Sequence, residues 1–201
     1  MRTFEVNNNG VVSFGVQVSQ YTPDPFPLDD GCPFVAPYWG DVDNTKSGDV
    51  FWRQTKDPAI LSRCTRDINQ YFPEISFTAE WAFIATWDRV PFFGSLSDKV
   101  NTFQAVLTTD EKISFILMNY FDIQWTTGIG SGGDLLTGLG GTPAQAGFDS
   151  GDKKNYYNIP GSRTPEILNI GETSNVNVPG RWVFQVDELI GVPTEKMECL
   201  Q

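Results

Sequence analysis

Asp41 and Asp43, with Asn44 beside them and Ser47 and Asp49 shortly after, crowd oxygen donors into one short stretch. Calcium takes six to eight oxygens, so this stretch is the candidate metal loop, with Asp41, Asp43 and Asn44 as the first ligands. It departs from the EF-hand pattern because Trp52 stands where the closing bidentate Glu belongs. A polar turn whose Asp and Asn side chains bond local backbone accounts for the same residues. No cofactor other than calcium is expected.

Other groups suggest reactions and fall short of them. Asp41, Asp43, Glu80 and Asp88 could supply the two carboxyls of a glycosidase. Charge at strand ends, there for solubility, is the plainer account. The run Gly128-Ile129-Gly130-Ser131-Gly132-Gly133 matches G-x-G-x-x-G. That motif binds a pyrophosphate only where its last glycine opens a helix. Here Gly138, Gly140, Gly141 and Pro143 follow, so the run reads as a flexible loop. Trp125, at the edge of that loop, is the candidate for an exposed sugar-stacking platform, whereas Trp81 and Trp87 fall in register with core residues. Histidine is absent altogether, which removes histidine triads, histidine metal sites and imidazole bases. No catalytic residue is therefore assigned.

Three cysteines are too few for a zinc site. Cys64 lies on an apolar helix face and Cys32 precedes a core strand, so a Cys32–Cys64 disulfide is expected. Two buried thiols acting as small hydrophobes would be the alternative. Cys199 would then pair with a neighbouring domain.

Lys+Arg 14 against Asp+Glu 25 gives a net charge of −11, which repels phosphate backbones and anionic lipid. Nucleic acid and direct membrane insertion are thus poor partners, and no apolar run is long enough to span a bilayer. Calcium or a basic protein surface suits this charge better.

The elements that would position these groups are mostly strands. Asn9-Gly10, between apolar runs, predicts a type I′ hairpin turn. Closely spaced prolines at 23, 25 and 27 make a loop. Residues 34–39 and 50–53 read as strands, with an acidic turn over 41–48 between them. Asp57 as N-cap, Pro58 at the first position and a closing Pro73 bound one amphipathic helix over about 58–72. Period-two alternation over 77–87 predicts a long strand, with Phe77, Ala79, Trp81, Phe83, Ala85 and Trp87 on one apolar face. Strands over 100–108 and 113–125 are joined by a turn at 109–112. Further strands are expected over 144–148, 156–159 and 182–186. The pattern predicts a mostly β fold: an antiparallel β-sandwich with the helix packed on it. One domain over 1–187 and a tail or linker over 188–201 are expected.

Several ordered motifs carry a resemblance. They are Val6-Asn7-Asn8-Asn9-Gly10-Val11-Val12-Ser13-Phe14, Phe34-Val35-Ala36-Pro37-Tyr38-Trp39-Gly40-Asp41-Val42-Asp43 and Asn101-Thr102-Phe103-Gln104-Ala105-Val106-Leu107. Asp122-Ile123-Gln124-Trp125-Thr126-Thr127-Gly128, Gln145-Ala146-Gly147-Phe148 and Pro179-Gly180-Arg181-Trp182-Val183-Phe184 extend it. Together they resemble the nidogen-like extracellular (NIDO) domain over about residues 6–187. The resemblance implies a non-enzymatic, secreted or matrix-associated module for cell–matrix adhesion or matrix assembly. Its partners would be matrix or cell-surface proteins and neighbouring domains of its parent. A lectin-like carbohydrate-binding domain, with or without calcium dependence, is the alternative. Family members carry further strands and a secretion signal before the Val6 run, so the first strands are expected to be missing here. No N-x-[ST] acceptor occurs in the chain.

Overall fold

The computed structural model describes residues 4–187. Two five-stranded antiparallel sheets stack face to face. The first has the order β1-β2-β3-β8-β9, formed by Phe4–Val6, Val12–Phe14, Phe34–Trp39, Gln145–Asp149 and Tyr156–Asn158. The second has the order β10-β7-β6-β5-β4, formed by Arg181–Gln185, Ser114–Ile123, Asn101–Thr109, Trp81–Val90 and Asp49–Thr55. The expected sandwich is present. Its core lies between the sheets, where Val12, Val35 and Tyr38 of the first meet Phe83, Trp87, Phe103 and Leu107 of the second. Two buried tyrosines bridge the layers: Tyr120 Oη donates to Pro37 O at 2.7 Å, and Tyr38 Oη to Trp125 O at 2.9 Å.

The one named α-helix among the described residues, α1 (Pro58–Tyr71), covers part of the outer face of the second sheet. Its start follows the sequence signals, because the Asp57 carboxylate accepts from the amides of Ala59 and Ile60. Ile68 and Cys64 pack on Ala82, Val106, Phe115, Leu117 and Val183. Arg181 binds Asp67 of the helix at 3.0 Å and also reaches the Tyr71 hydroxyl and Asn119. Residues between β2 and β3 cover the outer face of the first sheet. There Val11, Phe26, Cys32, Phe34, Ala36 and Trp39 form a third cluster.

Three expectations about the fold need correction. The Asn9-Gly10 turn is not type I′, which requires positive φ at both residues; Gly10 has φ +83°, but Asn9 is not among the positive-φ residues. Instead the asparagines dock the loop elsewhere. Asn9 Oδ1 accepts from Val42 N, Asn8 Nδ2 donates to Val42 O, and Trp87 Nε1 donates to Asn7 O.

The long strand begins at Trp81 rather than Phe77. Side chains of α1 claim the earlier backbone: Asn69 bonds both N and O of Phe77, and Thr65 Oγ1 accepts from Ala79 N. Phe77 and Ala79 therefore pack under the helix, not in the inter-sheet core.

Cys32 is disulfide-bonded, but Cys64 is a free, buried thiol, so the Cys32–Cys64 pairing is wrong. The two residues sit in clusters on the outer faces of opposite sheets. Stacked sheets are about 10 Å apart, and a disulfide needs Cα atoms within about 7 Å. Cys199 and the expected tail lie outside the described residues.

Finally, a 3₁₀ segment, Pro165–Glu172, was not foreseen; it buries Ile167 and Ile170 against the core.

Candidate functional site

The candidate metal residues lie where β3 leaves its sheet, and their oxygens serve the chain's own donors. Asp41 is buried, and its Oδ2 accepts the Gly130 amide at 3.1 Å. Burial holds the Asp41 carboxyl above its ordinary value; the Gly130 amide opposes that shift, and the charge of Asp43 adds to it. Asp43 Oδ1 accepts from Thr45 N at 3.1 Å and from its hydroxyl at 2.5 Å, the local turn bonding weighed above. Asn44 lies in the same turn, partly exposed. Among the described residues no group of three or more Asp, Glu or Cys side chains stands close enough to hold a metal ion.

The glycine-rich stretch is a folded cap built on Trp125. Trp125 is fully buried, which corrects its reading as an exposed platform. Asn101, also buried, bonds the backbone of Gln124 and Trp125, and Trp125 Nε1 donates to Val90 O. Thr126 and Thr127 both donate from their amides to Gly138 O. A Cβ on Gly138 (φ +63°) would lie 2.6 Å from Trp125 Cβ and 2.7 Å from the Phe92 ring. The stretch is glycine-rich because backbone must pass this close, and no helix follows the Gly-x-Gly run beyond a short 3₁₀ turn, Ile129–Ser131.

That packing pushes apolar side chains outward. Leu96 is 68% and Leu136 60% exposed, and Phe93, Leu135 and Leu139 are exposed as well. They ride on two loops stitched by backbone bonds, from Leu96 N to Leu135 O and from Ile129 N to Phe93 O. The one available signal was a set of leucines inside a glycine-rich run (Leu135-Leu136-x-x-Leu139), where a solvated loop would carry polar residues.

The second exposed region is on the outer face of the helix-bearing sheet. Beside α1 a groove of about 890 Å³ runs between Arg63, Phe51, Arg53, Phe121 and Arg181. Phe121 is 88% exposed because a β-bulge between β6 and β7 leaves it outside the ladder, which pairs Phe103 with Tyr120 and Thr102 with Asp122. Alternation alone would place Phe121 on a sheet face without revealing its exposure. The exposed tryptophan is Trp52, at 60%, on the edge strand β4.

Of the glycosidase carboxyls, Glu80 and Asp88 do not converge. Glu80 and Asp88 flank opposite ends of β5, roughly 25 Å apart at strand rise, well beyond the reach of one sugar ring. Asp88 instead stands opposite Asp49 in the β4–β5 ladder.

These observations define the class: an antiparallel β-sandwich whose accessible features are apolar loops and a sheet surface. The model of the nidogen-like domain (NIDO) matches residues 2–188, and the chain belongs to that family. It is 60% identical to mouse (Mus musculus) alpha-tectorin over 188 residues, covering 92% of this chain and 9% of that protein. Against chicken (Gallus gallus) alpha-tectorin the identity is 55%, with the same coverage. Nidogen of Drosophila melanogaster is 32% identical over 187 residues, 90% of this chain and 13% of that protein. The chain thus spans only a small part of the relatives it matches. No solved structure matches it. Among the described residues no helix is long and apolar enough to cross a membrane.

Proposed function

We propose that this domain is a non-catalytic extracellular module that holds matrix assemblies together by binding other matrix or cell-surface proteins. The observation that carries the reading is the loop end, where Phe93, Leu96, Leu135, Leu136 and Leu139 stand exposed on two interlocked loops. Exposed apolar groups gathered in one place favour protein contact, and loops fixed by backbone bonds lose little entropy on binding. Family membership supports the extracellular setting, since alpha-tectorin and nidogen are matrix proteins. The Asp41 carboxyl is taken up by the Gly130 amide and that of Asp43 by Thr45, which leaves the calcium-dependent reading without a supporting observation.

The test compares retention of the labelled domain on decellularised, cell-deposited matrix with that of a Leu96→Asp/Leu136→Asp double variant. Both side chains are exposed, so the fold is expected to persist, checked by an unchanged melting temperature. The variant should lose about tenfold or more in retention. Equal retention of variant and parent, or no retention of either, refutes the proposal.

A further inference from the structure

The strand β4 (Asp49–Thr55) is the last strand of its sheet, and among the described residues none pairs with its free side. Edge strands of native proteins are blunted by charged residues, lysine above all, by proline, by bulges or by short length. β4 carries two charges, Asp49 and Arg53, but they are of opposite sign, and it has no lysine, proline or bulge: it holds an unbroken register with β5 from Asp49↔Asp88 to Thr55↔Ala82. Phe51 is 56% exposed, and Trp52 is more so.

From this edge we infer that two copies of the chain pair through β4, antiparallel, about a twofold axis at Phe51. A twofold perpendicular to the sheet brings like faces together, so each residue meets one on its own face. About Phe51, Asp49 of one copy lies opposite Arg53 of the other, twice over. Val50 lies opposite Trp52, again twice, and the two Phe51 side chains meet at the axis. The charges choose this register. Asp49 faces the like charge of Asp88 within its own sheet, and Arg53 faces only Ile84. Neither forms an ion pair among the described residues. Moving the axis to Trp52 sets Asp49 opposite Thr55 and leaves both charges unmatched. A net charge of −11 opposes association of two copies, so a contact must supply its own attraction, as these paired charges and exposed aromatics do.

This inference goes beyond matrix binding by the loop end and fails or stands separately from it. Sedimentation velocity of the 201-residue chain over a concentration series should show a reversible monomer–dimer equilibrium. Arg53→Asp and Asp49→Arg, each at an exposed strand position, should each weaken dimerisation by about tenfold, since both create like-charge pairs across the axis. The Asp49→Arg/Arg53→Asp double variant should restore it, because the swapped charges again meet their opposites. The Leu96→Asp/Leu136→Asp variant should dimerise like the parent. A chain that stays monomeric at every concentration overturns the inference; amide protection along β4 in such a monomer would show that another segment of the chain occupies the edge. A dimer indifferent to both single reversals, or one not rescued by the swap, overturns it as well.

Discussion

At the loop end, backbone passes so close to Trp125 and Phe92 that Gly138 has no room for a methyl group. On the outer face of the second sheet, Ile68 fills the space between α1 and the strands with its full side chain and no exposure. The first region is held by close backbone approach and hydrogen bonds to main-chain carbonyls, the second by interdigitated side chains. A region of the first kind is damaged by adding atoms, one of the second kind by removing them. The difference also bears on binding. Backbone packing at the loop end directs leucines into solvent, whereas the helix face turns its apolar residues inward and leaves exposed aromatics only beyond the helix.

The strongest test of this contrast adds a methyl group at the loop end. Gly138→Ala combines a left-handed backbone with overpacking against Trp125, so urea unfolding should report a loss of about 4 kcal/mol. A loss below about 1 kcal/mol would mean that the cap relaxes like an ordinary loop. Next in size, Ile68→Ala removes buried side chain from the helix face and should cost about 3 kcal/mol by the same measurement. If Ile68→Ala proves the costlier of the two, the ranking of the two regions is reversed.

The smallest expected effect is electrostatic. Because Asp41 titrates higher in the folded chain than in the unfolded one, the folded state binds its proton first as pH falls. Its contribution to stability therefore rises as pH drops through the interval just above the ordinary aspartate value. Asp41→Asn keeps an acceptor for the Gly130 amide and removes the buried charge. Stability-against-pH curves of parent and variant should differ by a slope confined to that interval, with the variant at least as stable at neutral pH. Parallel curves would show that Asp41 is solvated in the folded chain.

Much of the architecture was legible in the residues. The strand over 34–39, the hairpin of β6 and β7 and the start of α1 at Asp57-Pro58 all follow from alternation, turn chemistry and capping, which act over a few residues. What misled was local pattern overruled at a distance. Phe77 and Ala79 continue the alternation of β5, but Asn69 and Thr65, on the preceding helix, take their backbone groups. Trp125 borders a glycine run, which favours exposure, yet the Asn101 side chain draws its backbone into the interior. Cys32 and Cys64 both lie next to apolar residues, and nothing local says that these belong to opposite outer faces.

By itself the sequence determined the family, the β class, the helix over Pro58–Tyr71 and the lack of imidazole chemistry, because each depends on composition, short-range periodicity or motif order. Only the tertiary structure decided which tryptophan is exposed, why the glycines are needed, where the leucines emerge and which strand is left at the sheet edge. Those outcomes depend on residues far apart in the chain meeting in space. Local propensities carry no information about which surface remains uncovered once every segment has found its partner.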